Sequence, residues 1–392
     1  MTIEVVFWLL VAVVAYAYVG FPVLVLLRGW LWHRPYQLSD ETPAISMVIA
    51  AYNEEQSIGQ KLENILSLDY PRDKLEVIIA SDGSEDATNE IVAGYAARGV
   101  RLLALPRLGK AGALNAAVAA ANGEILVFSD ANSIYDAQAL RKLVRPFGDA
   151  SVGGVAGNQV YLRTRDQHQS GAGEHGYWNF DRMLKQAESR AGNTISATGA
   201  IYAIRRTLFR GVPEGVTDDF ATSTSVIAQG YRLVFAEDAI AYEPVAASSG
   251  REFGRKVRIM TRGLKAVQVM RELLNPLQHG FYSVQLFSHK VLRRLLFIPL
   301  LLLLPVNVLL WSHGWFYQMT LMLQLAFYAF ALVGAFLGHT RVGRSKLFGY
   351  PFFLCMVYAA ALLATINIVR GNTITSWRPQ RQESLAGETS GS

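Results

Sequence analysis

A charge-free run near the N-terminus constrains this chain more than any other feature. Residues 5–27 hold no Asp, Glu, Lys or Arg, and nearly every side chain is aliphatic or aromatic. At about 1.5 Å of rise per residue, such a helix crosses a hydrocarbon core of about 30 Å. A cleaved leader is the competing reading, and it needs a basic start and a small-residue cleavage site. Here the start is Met1-Thr2-Ile3-Glu4, and Arg28 and Arg34 come after the run. Positive residues favour the cytoplasmic side, so the expectation is an anchor with its N-terminus outside.

Three further apolar runs follow, at residues 295–311, 316–337 and 348–369. Ser312-His313-Gly314 separates the first two without a Lys or Arg, whereas Arg341, Arg344 and Lys346 separate the last two. The basic loop belongs inside and the uncharged turn outside, which keeps the middle of the chain cytoplasmic and the C-terminus outside. Residues 264–294 read as interfacial helices, because Phe281 to Leu296 mixes aromatics with His289, Lys290, Arg293 and Arg294 at helical spacing; the inner end of a long transmembrane helix is the other reading of that stretch. Residues 380–392 read as a flexible polar tail. The runs also explain the composition: 51% of the 392 residues are hydrophobic and only 17% charged, against about 25% charged in soluble domains. The net charge of +6 lies mainly beside the spans, so it calls for no nucleic-acid partner. Cys355 is the single cysteine, which excludes an internal disulfide and a cysteine zinc site.

Residues 43–263 have a soluble composition and a different rhythm. Apolar runs at Ile45–Ala51, Leu75–Ala80, Val100–Leu105 and Glu124–Ser129 alternate with helical patterns at 56–66, 86–97 and 112–121. Short apolar runs suit strands buried on both faces, and the alternation predicts an α/β fold with a doubly wound sheet. Ligands bind such sheets outside the C-terminal ends of the strands. Polar residues gather there: Tyr52-Asn53-Glu54, Ser81-Asp82-Gly83 and Asp130-Ala131-Asn132. No Gly-x-Gly-x-x-Gly or Gly-Lys-Ser phosphate loop is present, which argues against a dinucleotide oxidoreductase and a triphosphatase.

Four blocks in this order carry a resemblance: Ala51-Tyr52-Asn53-Glu54-Glu55, Ser81-Asp82-Gly83-Ser84-Glu85-Asp86-Ala87-Thr88, Gly109-Lys110-Ala111-Gly112-Ala113-Leu114-Asn115 and Asp130-Ala131-Asn132. Together with Thr198-Gly199-Ala200-Ile201-Tyr202, Thr217-Asp218-Asp219 and Arg255-Lys256-Val257-Arg258, they resemble the inverting family 2 glycosyltransferases. The membrane layout is similar to the branch that holds cellulose, chitin and hyaluronan synthases. The resemblance implies a GT-A nucleotide-sugar-binding domain with flanking transmembrane and interfacial helices. It implies Mg²⁺ or Mn²⁺ on the donor diphosphate, held by Asp130 and Asn132, where the family carries Asp-x-Asp. Asn132 offers a carbonyl oxygen and no charge. The resemblance also implies donor contacts at Tyr52, Glu54, Asp82, Lys110, Asp130, Arg255 and Arg258. Thr198, Gly199 and Ala200 would meet the acceptor. Asp219, with Asp218 as its neighbour, would be the general base. Either aspartate can also cap the helix that follows. Arg255 and Ile259 stand where processive members carry Gln and Trp, which removes a flat stacking surface.

The expectation is therefore a cytoplasm-facing transferase in the cell's inner membrane. It would take a nucleotide-sugar donor, UDP-linked, and extend a polysaccharide or glycolipid acceptor. Four spans are few for a pore, so export would call for a homo-oligomer or a partner subunit. The alternatives are single-sugar transfer to a polyprenyl phosphate, sphingolipid or hopanoid, and a non-catalytic nucleotide-sugar sensor.

Overall fold

A computed structural model describes residues 2–162, 171–244, 249–343 and 345–372, with side chains left out at 162, 171–179, 244 and 249–252. Arg344 and the 380–392 tail lie outside the described residues. The chain divides into two units: residues 1–31, 165–184 and 246–373 form a helical unit, and 32–164 with 185–245 form an α/β unit.

One eight-stranded sheet organises the α/β unit. Its strands are β1 (Ile45–Ala51), β2 (Leu75–Asp82), β3 (Val100–Leu105), β4 (Ile125–Phe128), β5 (Ile134–Tyr135), β6 (Val152–Leu162), β7 (Tyr202–Arg205) and β8 (Arg232–Pro244). Their spatial order is β3-β2-β1-β4-β7-β6-β8-β5. All seven residues of β1 are buried, as a strand between two neighbours and two helical layers requires. Around β1 the ladder is parallel, in the doubly wound manner expected. Beyond β4 the sheet is mixed: β7 runs antiparallel to β4 and β6, and β5 antiparallel to β8. The sequence pattern did not give this second half, because strand direction follows from the long returns at 163–201 and 206–231 rather than from local periodicity.

The helix Ile58–Ser67 buries Ile58, Lys61, Leu62, Ile65 and Leu66. That spacing puts one stripe of the helix on the sheet. The helix Gly109–Ala119 starts three residues before the Ala-rich pattern suggested. A buried carboxylate supplies its missing cap. Asp82 Oδ1 accepts from the Leu108 and Gly109 amides at 2.6 and 2.9 Å. Helix starts carry unpaired N–H groups and partial positive charge, and an anion satisfies both.

The helical unit holds Ile3–Leu31, Trp315–Phe336 and Lys346–Val369, three helices long and apolar enough to cross a membrane. A fourth apolar stretch is the pair Phe281–Leu295 and Phe297–Leu309, bent by 51°. Pro299 has no N–H for the Leu295 carbonyl, which breaks the ladder at the bend. Asn307 donates to Gln324 at 3.2 Å and accepts from Thr320 at 3.0 Å, pairing polar groups between two apolar helices.

Candidate active site

The first two loops are tied to each other before any ligand arrives. Among the described residues, Asn53 is the one non-glycine with positive φ, at 51°. Its amide donates to Ser84 Oγ at 3.1 Å, and its Oδ1 accepts from the Glu85 amide at 2.8 Å. The Glu54 amide donates to Thr88 Oγ1 at 2.8 Å, and the Glu54 carboxylate accepts from Ser57 Oγ at 2.5 Å. The Glu55 amide donates to Asp86 Oδ2 at 3.1 Å. Much of the Asn-Glu-Glu and Ser-Asp-Gly-Ser blocks therefore builds the rim. Gly83 adopts φ +68°, and a Cβ there would lie 3.1 Å from the Arg107 amide. A side chain would be strained by the turn and would push on the loop above it.

Asp82 is fully buried and its second oxygen accepts from Arg107 Nη1 at 2.5 Å. The Arg107 guanidinium also covers the Tyr52 ring, 3.3 Å from its centroid. Tyr52, Asp82 and Arg107 thus form one end of the site, with the carboxylate balanced by a cation and two amides.

The other end is built differently. Lys110, in the first turn of its helix, reaches Asp130 Oδ1 at 2.9 Å and Asp218 Oδ2 at 3.0 Å. Burial alone would lower the Lys110 pKa, but Asp130 and Asp218 outweigh it and raise it. Asp218 and Asp219 open the helix Asp218–Ala228, and Asp219 Oδ1 accepts from the Phe220 amide at 2.7 Å. Burial, then the Asp218 charge, push the Asp219 carboxyl up to about 6 against the pull of Lys110. Thr198-Gly199-Ala200 approaches from the side. A Cβ on Gly199 would lie 2.7 Å from Asp130 Oδ2, so only glycine allows this contact. Asn132 lies in the turn that carries Asp130, partly exposed.

The α/β unit thus brings together Tyr52, Glu54, Asp82, Lys110, Asp130, Asn132, Thr198, Gly199, Ala200, Asp218 and Asp219. Arg255 and Arg258 belong to the helical unit, three residues apart on the helix Ser249–Val269. Sequence reasoning missed three charged groups. Arg107 sits two residues before the glycine-lysine block. Glu243, next to last in β8, bonds Gln159 and is pushed up to about 7 by burial and by Asp130. Lys61 is wholly buried, and burial draws it down to about 7 although Asp130 and Glu243 oppose the shift. The visible signal for Lys61 was a lysine on the apolar stripe of an amphipathic helix.

Residues 46–212 match the model of Glycosyl transferase family 2. Over those residues the chain is similar to the family 2 glycosyltransferases, and the rim and the Lys110–Asp130 pair fall inside the matched span. Asp218 and Asp219 follow six and seven residues after it. The chain is 26% identical over 271 residues to a poly-β-1,6-N-acetyl-D-glucosamine synthase of Staphylococcus aureus, covering 67% of this chain and 65% of that protein. A synthase of the same name from Staphylococcus epidermidis is 26% identical over 225 residues, 56% of this chain and 54% of that one. The chain spans 65% and 54% of the length of these two curated relatives. Among solved structures, the mannosyltransferase PcManGT from Pyrobaculum calidifontis, in complex with GDP-Man and Mn²⁺, superposes with a TM-score of 0.67. It is 25% identical, and the match covers 92% of this chain and 98% of that one.

Proposed function

We propose that this chain is a membrane-anchored inverting glycosyltransferase that moves a sugar from a nucleotide-sugar donor, UDP-linked, to a polysaccharide or lipid-linked acceptor at the cytoplasmic face of the inner membrane. The observation that carries the reading is the Lys110 ammonium between Asp130 and Asp218, with Asp219 on the next residue. Asp218 is engaged in holding Lys110, which leaves the base role to Asp219. With a pKa near 6, Asp219 is ionised at neutral pH and still basic enough to accept a proton.

Among the described residues no three His, Cys, Asp or Glu side chains are gathered into a metal site, but oxygens of the kind a divalent ion takes stand near Lys110. Asp130, Asp218 and Asp219 offer hard oxygens, and Lys110 stands in for positive charge among them. Asp130 would hold the ion with the Asn132 carbonyl oxygen, and the ion would supply charge to the leaving diphosphate. The Mn²⁺ in the Pyrobaculum mannosyltransferase complex supports this. Tyr52, Glu54, Asp82 and Arg107 frame the nucleoside end. Lys110 meets the phosphates, and Arg255 and Arg258 offer bidentate contacts to them. Thr198, Gly199 and Ala200 orient the acceptor. Its hydroxyl proton passes to Asp219 as the oxygen bonds to the anomeric carbon. The bond from that carbon to the phosphate oxygen breaks, and the nucleoside diphosphate leaves with its electron pair. One displacement inverts the centre.

The staphylococcal relatives favour a polymer of amino sugar. Ile259, in place of a stacking tryptophan, favours one sugar on a lipid, and the GDP-Man in the Pyrobaculum mannosyltransferase complex makes a GDP-linked donor worth offering beside UDP-sugars. A screen separates them. The detergent-purified chain is offered UDP- and GDP-sugars with Mn²⁺ or Mg²⁺, and product size is read. A ladder supports the polymer, a single addition the glycolipid. Donor binding without turnover would overturn the enzyme reading and leave a sensor or an export-complex subunit.

A further inference from the structure

A lysine at a core position costs several kcal/mol unless its charge and donors are satisfied. A methionine would fill the same space with no such cost. Lys61 is nevertheless fully buried, on the stripe that also carries Ile58, Leu62 and Ile65. Its partners Ser129, Ser133 and Tyr135 come from one short stretch. Nζ donates to Ser129 Oγ at 2.7 Å and to the Ser133 carbonyl at 2.6 Å, and it lies 4.1 Å from the centroid of the Tyr135 ring. One helical turn later, Asn64 grips the same stretch. Its Oδ1 accepts from the Tyr135 amide at 2.7 Å and its Nδ2 donates to the Tyr135 carbonyl at 3.0 Å.

This stretch is the turn that carries Asp130 and Asn132. Its serines extend the network. Ser129 Oγ and Ser133 Oγ are 3.0 Å apart, and each lies within 3.2 Å of the Ala200 carbonyl, in the acceptor loop. Ser133 Oγ also donates to the Asp130 carbonyl at 2.9 Å. Asp130 therefore sits between two ammonium groups. Lys110 binds its carboxylate on the ligand side, and Lys61 gathers its backbone turn from the core side.

We propose that Lys61 is a positioning residue for glycosyl transfer: its ammonium fixes the Ser129–Ser133 turn and, through Ser129 and Ser133, holds the donor-side Asp130 and the acceptor-side Ala200 in one geometry. The inference rests on the transferase reading given above. Groups behind a metal ligand typically change metal affinity by about 10-fold to 100-fold when removed.

The test uses the full-length chain in detergent. Lys61→Met keeps the volume and removes the ammonium. Mn²⁺ binding is followed by the electron paramagnetic signal of the free ion, donor KM and kcat by nucleotide release, and folding by circular dichroism and thermal midpoint. The expected result is a folded variant whose Mn²⁺ Kd and donor KM both rise about tenfold or more. A variant with a lower midpoint but unchanged Mn²⁺ Kd and KM would make Lys61 structural only, and would overturn the proposal. Should Lys61→Met not fold, the Ser129→Ala/Ser133→Ala double variant cuts the link to Ala200 while Lys61 keeps the Ser133 carbonyl. It is expected to raise KM in the same direction, and an unchanged KM overturns the proposal. A wild-type chain that binds neither Mn²⁺ nor any donor fails earlier, and overturns the transferase reading instead.

Discussion

The two ends of the site use the same chemical group in opposite electrostatic states. Asp82 is buried but balanced: two amides and one guanidinium account for its oxygens. At the other end Lys110 bridges Asp130 and Asp218, and burial, then the Asp218 charge, push the neighbouring Asp219 carboxyl up to about 6. The first end has the features of a rigid support. Loops cross-bond, a helix start is capped, and an aromatic ring is covered. The second end is held in a state that an incoming cation or proton would relieve. Unfavourable charge concentrated in one place, on a scaffold made stiff elsewhere, is how a fold keeps a reactive group ready.

The comparison breaks most visibly at Asp219. Asp219→Asn keeps the shape and removes the base, so kcat is expected to fall by about 10²–10⁴-fold. Its thermal midpoint should stay level or rise, because a carboxylate whose pKa is raised is a strained charge that asparagine relieves. Activity and unfolding measured on one preparation check both halves. Asp82→Ala should do the reverse in kind. It uncaps the helix Gly109–Ala119 and unpairs Arg107, for a loss of about 3 kcal/mol in urea unfolding. Its donor KM should rise with the displaced Lys110. Gly199→Ala tests the seam between the ends. The new methyl meets Asp130, and Mn²⁺ affinity should fall about tenfold by titration. Asn132→Asp adds a charge to an already negative end. Mn²⁺ should bind a few-fold more tightly, by about 1 kcal/mol, with little change in stability.

Much of this site was legible in the chain. Asp82 ends β2 and Asp130 lies just beyond β4, as the polar blocks at strand ends suggested, whereas Asp219 comes from a helix start. What stayed hidden follows from physics that local pattern does not encode. Arg107 covers Tyr52 because Gly83 turns the chain beneath it, a contact set by the positive φ of one residue. Lys61 interrupts an amphipathic stripe, and only the tertiary fold shows the serine hydroxyl and the carbonyl opposite it. Glu243 reached the site through the pairing of β8 with β5, two strands about a hundred residues apart. The helix start at Gly109 depended on a carboxylate from another strand. Sequence assigned Tyr52 and Glu54 a nucleotide-contact role, and it did not show that Asn53, Glu54 and Glu55 tie their loop to the next one.

The account turns on Asp219 as the base, and the pH dependence of kcat/KM tests it most directly. A carboxylate must be ionised to take the acceptor proton, so the rate should be flat above pH 7 and fall tenfold per unit below an apparent pKa of about 6. In Asp219→Asn the residual rate should lose that limb. A limb near 6 that persists unchanged in Asp219→Asn, or a variant as active as the wild type, would contradict the assignment and return the base role to Asp218 or another group.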